Sequence, residues 1–196
     1  FGQIVKVKAY RLESETFGTS PVYFLSTDLP ENPEDVRRLT DHLYDGDRRT
    51  RVAQQVILGK GGVRILALAG EAIDIYHLNE GHALPAVFEL INKAGGDIDA
   101  VREKTVFTTH TPLAAGNESH PVDLLLEAGF FGTLSREKAV ALAGENFSLT
   151  VAALRLSRTA NAVSRLHNRV ANQMWEWVED RCPIVGITNS VNLRYW

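Results

Sequence analysis

Ile73-Asp74-Ile75-Tyr76-His77-Leu78-Asn79-Glu80-Gly81-His82-Ala83, taken with Lys104-Thr105-Val106-Phe107-Thr108-Thr109-His110-Thr111-Pro112, decides the fold. In each stretch a short apolar run leads into polar, proton-active side chains. Ile73 to Tyr76 and Lys104 to Phe107 read as buried strands, and the apolar spacing from Ala83 to Lys93 reads as a helix between them. Both polar clusters therefore fall at strand C-terminal ends. In an open α/β sheet those ends form the crevice where ligands bind.

Working outward, residues 3 to 12 and 21 to 27 are rich in β-branched and aromatic side chains around a turn-forming segment, which predicts an opening hairpin. Asn32-Pro33-Glu34-Asp35 offers an N-cap, a proline at the first helical position and acids in the first turn, so a helix is expected to about Tyr44. Val52 to Leu58 and Val63 to Leu68 have helical spacing interrupted by Gly59, Gly61 and Gly62. A short helix is expected over Asp97 to Lys104, then a loop from Thr111 to His120. Further helices are expected near 121–128, 135–144 and 149–157, with a long amphipathic one from about Ala160 to Val178 and a last strand at Ile184 to Ile187. This βα alternation predicts an α/β fold in which a mainly parallel sheet is sandwiched between helices on both faces.

The 196 residues are 44% hydrophobic and 23% charged, enough for a globular core, and one domain is expected. A net charge of -3, with basic and acidic residues interleaved, argues against nucleic acid. The apolar stretches fall well short of the roughly 20 residues that span a bilayer, and no signal-peptide pattern opens the chain. Cys182 is the one cysteine, which excludes an intrachain disulfide and fits a reducing, cytoplasmic setting. The chain opens on Phe1 and its one methionine is Met174, so it is read as an excerpt of something longer.

Several features admit more than one reading. Gly59-Lys60-Gly61-Gly62 could cradle a phosphate, but it lacks the phosphate-loop spacing and a preceding strand, and a structural helix break accounts for it better. Asn79-Glu80 could simply cap the helix that follows. His77, His82, His110 and His120 with Glu80 contain metal-binding side chains, yet their spacing matches no zinc motif, and no metal is expected. A serine triad lacks its Gly-x-Ser-x-Gly elbow. Trp175, Trp177 and Trp196 could stack on sugars, although aromatics in an amphipathic helix more often pack in the core. Arg158 and Asn161 become site candidates if their end of the last long helix faces the crevice.

Tyr23 to Asn32, Arg38 to Gly46, Gln55 to Arg64, Ile75 to Ala83, Val106 to Gly116, Phe147 to His167 and Ile187 to Trp196 together resemble the α-glucan (glycogen or starch) phosphorylases, in their bacterial and archaeal branch. The resemblance runs in order over nearly the whole chain, and its most specific part is the pair Glu80-Gly81-His82 and Thr108-Thr109-His110-Thr111-Pro112. It implies a GT-B glycosyltransferase, with this chain as a single, incomplete Rossmann-like N-terminal domain. It also implies reversible phosphorolysis of α-1,4-glucan by inorganic phosphate to glucose 1-phosphate, and a homodimer. The implied cofactor, pyridoxal 5'-phosphate, belongs with its lysine and a basic phosphate clamp to a C-terminal domain outside this chain, so the chain alone is expected to be inactive.

By motif, Glu80, His82 and His110 match residues lining the sugar side of the cleft. Carboxylate and imidazole groups there can hydrogen-bond sugar hydroxyls and orient them without covalent chemistry. Arg158, just before Asn161, stands where many long-form members carry a sugar-binding histidine. Ala162 and Ser190 replace glycines, which costs about 1 kcal/mol or more where the backbone needs positive φ. Asn192 stands where this branch often has histidine. The alternatives are a noncatalytic glucan-binding domain of the same descent and a GT-B glycosyltransferase that uses a nucleotide sugar.

Overall fold

The computed structural model of the chain describes residues 2–43, 45–113 and 116–191. Tyr44, Asn192 and Trp196 of the sequence reading lie outside them. In chain order the elements begin with β1 (Lys8–Leu12), α1 (Ser14–Phe17), β2 (Val22–Ser26), α2 (Glu34–Arg37), α3 (Arg48–Val56), α4 (Gly62–Leu68), β3 (Tyr76–Asn79), α5 (Pro85–Lys93), α6 (Ile98–Arg102) and β4 (Thr105–Thr109). They continue with β5 (Ser119–Pro121), α7 (Val122–Glu127), α8 (Arg136–Ala143), β6 (Asn146–Ser148), α9 (Leu149–Arg155), β7 (Thr159–Ala162), α10 (Arg165–Met174) and β8 (Ile184–Gly186).

β1 and β2 form the expected antiparallel hairpin, with Tyr10 opposite Phe24. The main sheet is parallel in the order β3, β4, β7, β8. Right-handed crossovers between strands laid down in sequence put successive helices on one face, and side-chain burial follows that rule. Leu78, Phe107, Ala160, Ala162 and Ile184 point to the helical face and are buried. His77, Asn79, Thr108, Asn161 and Val185 share the opposite face, where His77, Asn79 and Val185 are exposed. The parallel α/β sheet is thus as expected.

Four phenylalanines anchor the helical face. Phe131 meets Phe88 edge-on at 5.2 Å between centroids and Phe147 at 4.9 Å, with Phe130 against all three. They tie α5 to the segment after α7 and to β6 beneath the C-terminal end of the sheet.

Local chemistry explains where the structure departs from the sequence reading. The glycine-rich segment does not break the helix. Ile57–Gly61 forms a single π-helical turn that carries α3 into α4. A Cβ on Gly59 would fall 2.5 Å from the Ala86 backbone nitrogen, so glycine there lets α5 start against the turn. Asn32 does not cap α2 either: its Nδ2 donates to the carbonyls of Lys6 and Thr27 and its Oδ1 accepts from Lys6 N–H, which fastens the hairpin. The long helix expected from Ala160 begins instead as β7. Ala160 and Ala162 alternate into the core at strand spacing, and α10 starts only after Ser164, whose hydroxyl accepts from His167 N–H at 3.0 Å. Ala162 and Ser190 are not among the described residues with positive φ, so neither glycine replacement strains the backbone. The short antiparallel pairing of β5 with β6, across α7 and α8, was not foreseen.

Candidate functional site: the C-terminal end of the parallel sheet

β3 and β4 end side by side, and Glu80 joins them. Its N–H donates to Thr108 O at 2.9 Å, and its carboxylate Oε1 accepts a very short bond from the backbone N–H of His110 and a second from Thr111 Oγ1 at 3.3 Å. This crosslink holds Glu80 at φ 62 and ψ 178, a region nearly confined to glycine that costs about 1–3 kcal/mol. No side-chain cap bond is made at the turn beginning at Gly81 or at α5, so the capping reading of Asn79-Glu80 gives way to a strand-end crosslink. Gly81 is buried because Leu149 of α9 lies over it, and a Cβ there would sit 2.7 Å from Leu149 Cβ.

The tight turn of Gly81–Ala83 delivers His82 to α3. Arg51 Nη2 lies 3.0 Å from His82 Nδ1, while Arg51 Nε donates to Glu118 Oε1 at 2.8 Å. Gln55, one helical turn along α3, donates to Glu118 Oε2 at 2.5 Å. His82 Nδ1 and His120 Nε2 stand 3.7 and 3.8 Å from the same oxygen. Burial alone would raise the Glu118 carboxyl, but its neighbours His120, His82 and Arg51 outweigh burial and hold it far below the usual carboxylate range. Of those three, Arg51 is the one within ordinary hydrogen-bond distance, and its guanidinium favours the charged carboxylate whichever nitrogens of the two rings carry protons. Both ring nitrogens of buried His120 lack a hydrogen-bond partner among the described residues. A cleft of about 60 Å³, room for roughly two waters, opens among Glu80, His82, Thr111, Asn117, Glu118 and Thr150.

Of the five residues singled out in the sequence, the structure brings together Glu80, His82 and the backbone of His110. Asn161 lies on the open face, one strand beyond β4. Its Oδ1 accepts from Thr108 Oγ1 at 2.6 Å, and His77 Nε2 lies 2.6 Å from that hydroxyl. Thr108 gives its one proton to Asn161, so His77 Nε2 is the donor in this ladder. Arg158 stands at the other end of the sheet. Its N–H bonds Thr105 O, three residues before the Thr108 carbonyl that receives Glu80. At about 3.3 Å per residue this is roughly 10 Å along the strand.

Arg51, Gln55, Glu118 and His167 were not anticipated, and His120 had been weighed only as a metal ligand. Arg51 and Gln55 carry an i, i+4 signal on one helical face, whereas Glu118 and His120 are hidden in a segment that reads as plain loop. His167 is buried, with Nδ1 accepting from Val163 N–H at 3.3 Å and Nε2 without a hydrogen-bond partner among the described residues. Burial pulls its titration down, and Glu80 and His110 are close enough to act on it as well. Trp175 is buried and Trp177 exposed, the two rings packing 6.2 Å apart.

Among the described residues no three His, Cys, Asp or Glu side chains are grouped to hold a metal ion. The crevice does not fit pyridoxal phosphate either. Its walls carry the carboxylates of Glu80 and Glu118 and no lysine. Lys60, whose ammonium is destabilised chiefly by burial, lines a separate, larger groove of about 700 Å³ between residues 2–7 and α3–α4. That groove has mostly apolar walls and lies away from the crevice residues. Among the described residues no helix is long and apolar enough to cross a membrane.

The fold is that of a GT-B glycosyltransferase domain. The catalytic domain of starch synthase IV from Arabidopsis thaliana superposes with a TM-score of 0.68 at 16% identity, over 100% of this chain and 39% of that one. In sequence the chain resembles part of a phosphorylase. It is 34% identical to the maltodextrin phosphorylase of Thermococcus litoralis, covering 99% of this chain and 25% of that protein. It is 36% identical to the glycogen phosphorylase of Mycobacterium tuberculosis, covering 91% and 24%. An uncharacterized protein of Methanocaldococcus jannaschii is 48% identical, covering 98% and 36%. The chain thus spans between about a quarter and about a third of the length of these relatives. No family model matches it.

Proposed function

We propose that this chain is the glucan-facing N-terminal part of an α-glucan phosphorylase, a single incomplete domain whose crevice receives the sugar. The observation that carries this reading is the meeting of Glu80, His82 and His110 at the ends of β3 and β4, where Glu80 accepts the His110 N–H and Arg51 braces His82. Carboxylate and imidazole groups held there hydrogen-bond the hydroxyls of an α-1,4-glucan and set its orientation, which lowers the entropic cost of a reaction without covalent chemistry by the protein. Anionic Glu118 and Glu80 make this wall a poor receiver of phosphate. Inorganic phosphate, pyridoxal phosphate and the basic groups that hold them therefore belong to a second domain facing this one, in a homodimeric enzyme. A cytoplasmic setting agrees with the single cysteine, Cys182, whose thiol burial pushes up to about 11.

The test is a titration of the ¹⁵N-labelled chain with maltoheptaose. Saturable shifts at Glu80, Gly81, His82, His110 and Thr111 are expected. Shifts scattered over the surface, or none up to the solubility of the sugar, remove the glucan reading. Sequence continuous with Trp196 that carries a pyridoxal phosphate lysine favours a phosphorylase over a noncatalytic glucan-binding domain.

A further inference from the structure

We propose that Arg51, held by Glu118, is a positioning residue that fixes the His82 ring in one tautomer, with its proton on Nε2. A guanidinium has five donors and no acceptor, so the ring nitrogen that Arg51 Nη2 meets at 3.0 Å, Nδ1, must present its lone pair. The competing arrangement, a proton on Nδ1 given to Glu118 Oε2, is disfavoured by distance: that oxygen is 3.7 Å away and already accepts from Gln55 Nε2 at 2.5 Å.

Arg51 is itself pinned. Its Nε donates to Glu118 Oε1 at 2.8 Å, and its side chain is only 13% exposed. Arg51 and Gln55 reach Glu118 from adjacent turns of α3, and Glu118 comes from the far end of the loop after β4. The pair therefore converts the fold of three separate segments into a single protonation pattern on His82. With Nδ1 engaged, the ring acts through Nε2 as a hydrogen-bond donor. A donor suits an oxygen lone pair, such as that of a sugar hydroxyl. That last assignment rests on the glucan reading; the tautomer does not.

Long-range ¹H–¹⁵N spectra of the histidine-labelled chain at neutral pH test this, with the His82 signals assigned by their loss in His82→Gln. The wild-type ring is expected to show a protonated Nε2 and a bare Nδ1. Arg51→Met is expected to move the proton to Nδ1, facing Glu118, whereas a merely structural role for Arg51 would leave the tautomer where it was. A wild-type proton on Nδ1, or an unchanged tautomer in Arg51→Met, overturns the proposal. Should Arg51→Met fail to fold, the wild-type spectrum alone decides. Adding maltoheptaose to the same sample separates the two ideas. An Arg51-dependent Nε2–H tautomer that ignores the sugar keeps this inference and sinks the glucan reading; an Nδ1–H ring with saturable sugar shifts does the reverse.

Discussion

The two ends of the parallel sheet are built from the same four strands but to different rules. At the N-terminal end the polar groups are spent on structure: Arg158 N–H meets Thr105 O, Thr105 Oγ1 donates to Val101 O, and Arg102 reaches the carbonyls of Ser157 and Asp180. At the C-terminal end Glu80 holds a strained backbone, Glu118 gathers Arg51, Gln55 and two histidines, and buried nitrogens of His120 and His167 have no hydrogen-bond partner among the described residues. Unpaired buried polar atoms and strain both cost stability. Such groups occur at both ends, Asp180 at φ 59 and buried Ser157 Oγ belonging to the N-terminal one; what sets the C-terminal end apart is the gathering of carboxylates and imidazoles beside the strained Glu80, which marks where polar groups are kept for recognition.

If that division holds, stability and sugar binding respond to different substitutions. The largest effect is expected from Phe131→Ala, which opens the four-phenylalanine cluster below the sheet end and should cost about 3–5 kcal/mol of unfolding free energy. Denaturant titration measures it. A loss below about 1 kcal/mol would mean that the cluster is not what holds α5 and β6 together.

Glu80 should behave in the opposite way. Glu80→Gly relieves the φ 62 strain while removing the carboxylate, and Glu80→Ala removes the carboxylate and keeps the strain. Both should weaken maltoheptaose binding by about 1–3 kcal/mol, roughly five- to 150-fold, while the glycine variant is more stable than the alanine variant by about 1 kcal/mol. Equal stability of the two variants, with binding within twofold of wild type, would return Glu80 to a structural role.

How far the sequence could be read follows from the same division. Strand periodicity and the polar residues that end each strand are local, so α5, β4 and a strand leading into Glu80 were legible, although that strand, β3, runs over Tyr76–Asn79 rather than Ile73 to Tyr76, and its polar His77 and Asn79 hid it. β7 was not legible, because Thr159 to Ala162 holds two alanines that suit a helix equally well, and only pairing with β4 and β8 decides for a strand. That one error carried Arg158 and Asn161 together as neighbours on a helix, whereas the sheet sends Arg158 to its N-terminal end and Asn161 to its open face. Glu118 escaped for a different reason: its partners come from α3, 63 and 67 residues away in the chain. No local pattern reports such a meeting.

Acid should expose the Glu118 network. The folded chain holds this carboxyl below its ordinary value, so as pH falls the unfolded chain takes up the proton first. The stability it contributes is complete above the ordinary carboxylate range and is lost as pH drops through and below it. Glu118→Gln should thus be less stable than wild type at neutral pH, by on the order of 1–2 kcal/mol with its partial exposure allowed for. The gap should begin to close at about pH 5 and go on narrowing as pH falls below the ordinary carboxylate range. Melting curves across that range check it, and a gap that stays constant or widens on acidification would mean that Glu118 is not held ionised by its neighbours.

The smallest expected effect is the most discriminating one for the two ends. Arg158 is exposed, its backbone rather than its side chain makes the recorded bond to β4, and it lies roughly 10 Å along the strand from the Glu80 crosslink. Arg158→Ala should therefore change unfolding free energy by no more than about 0.5 kcal/mol and leave maltoheptaose affinity within about twofold, since a removed crevice hydrogen bond would cost more. The two measurements have different meanings. A loss of stability alone would make Arg158 part of the structural end, where Arg102 already serves. A several-fold loss of affinity would carry the sugar contact to the end of the sheet that here looks purely structural, and the division between the two ends would fail with it.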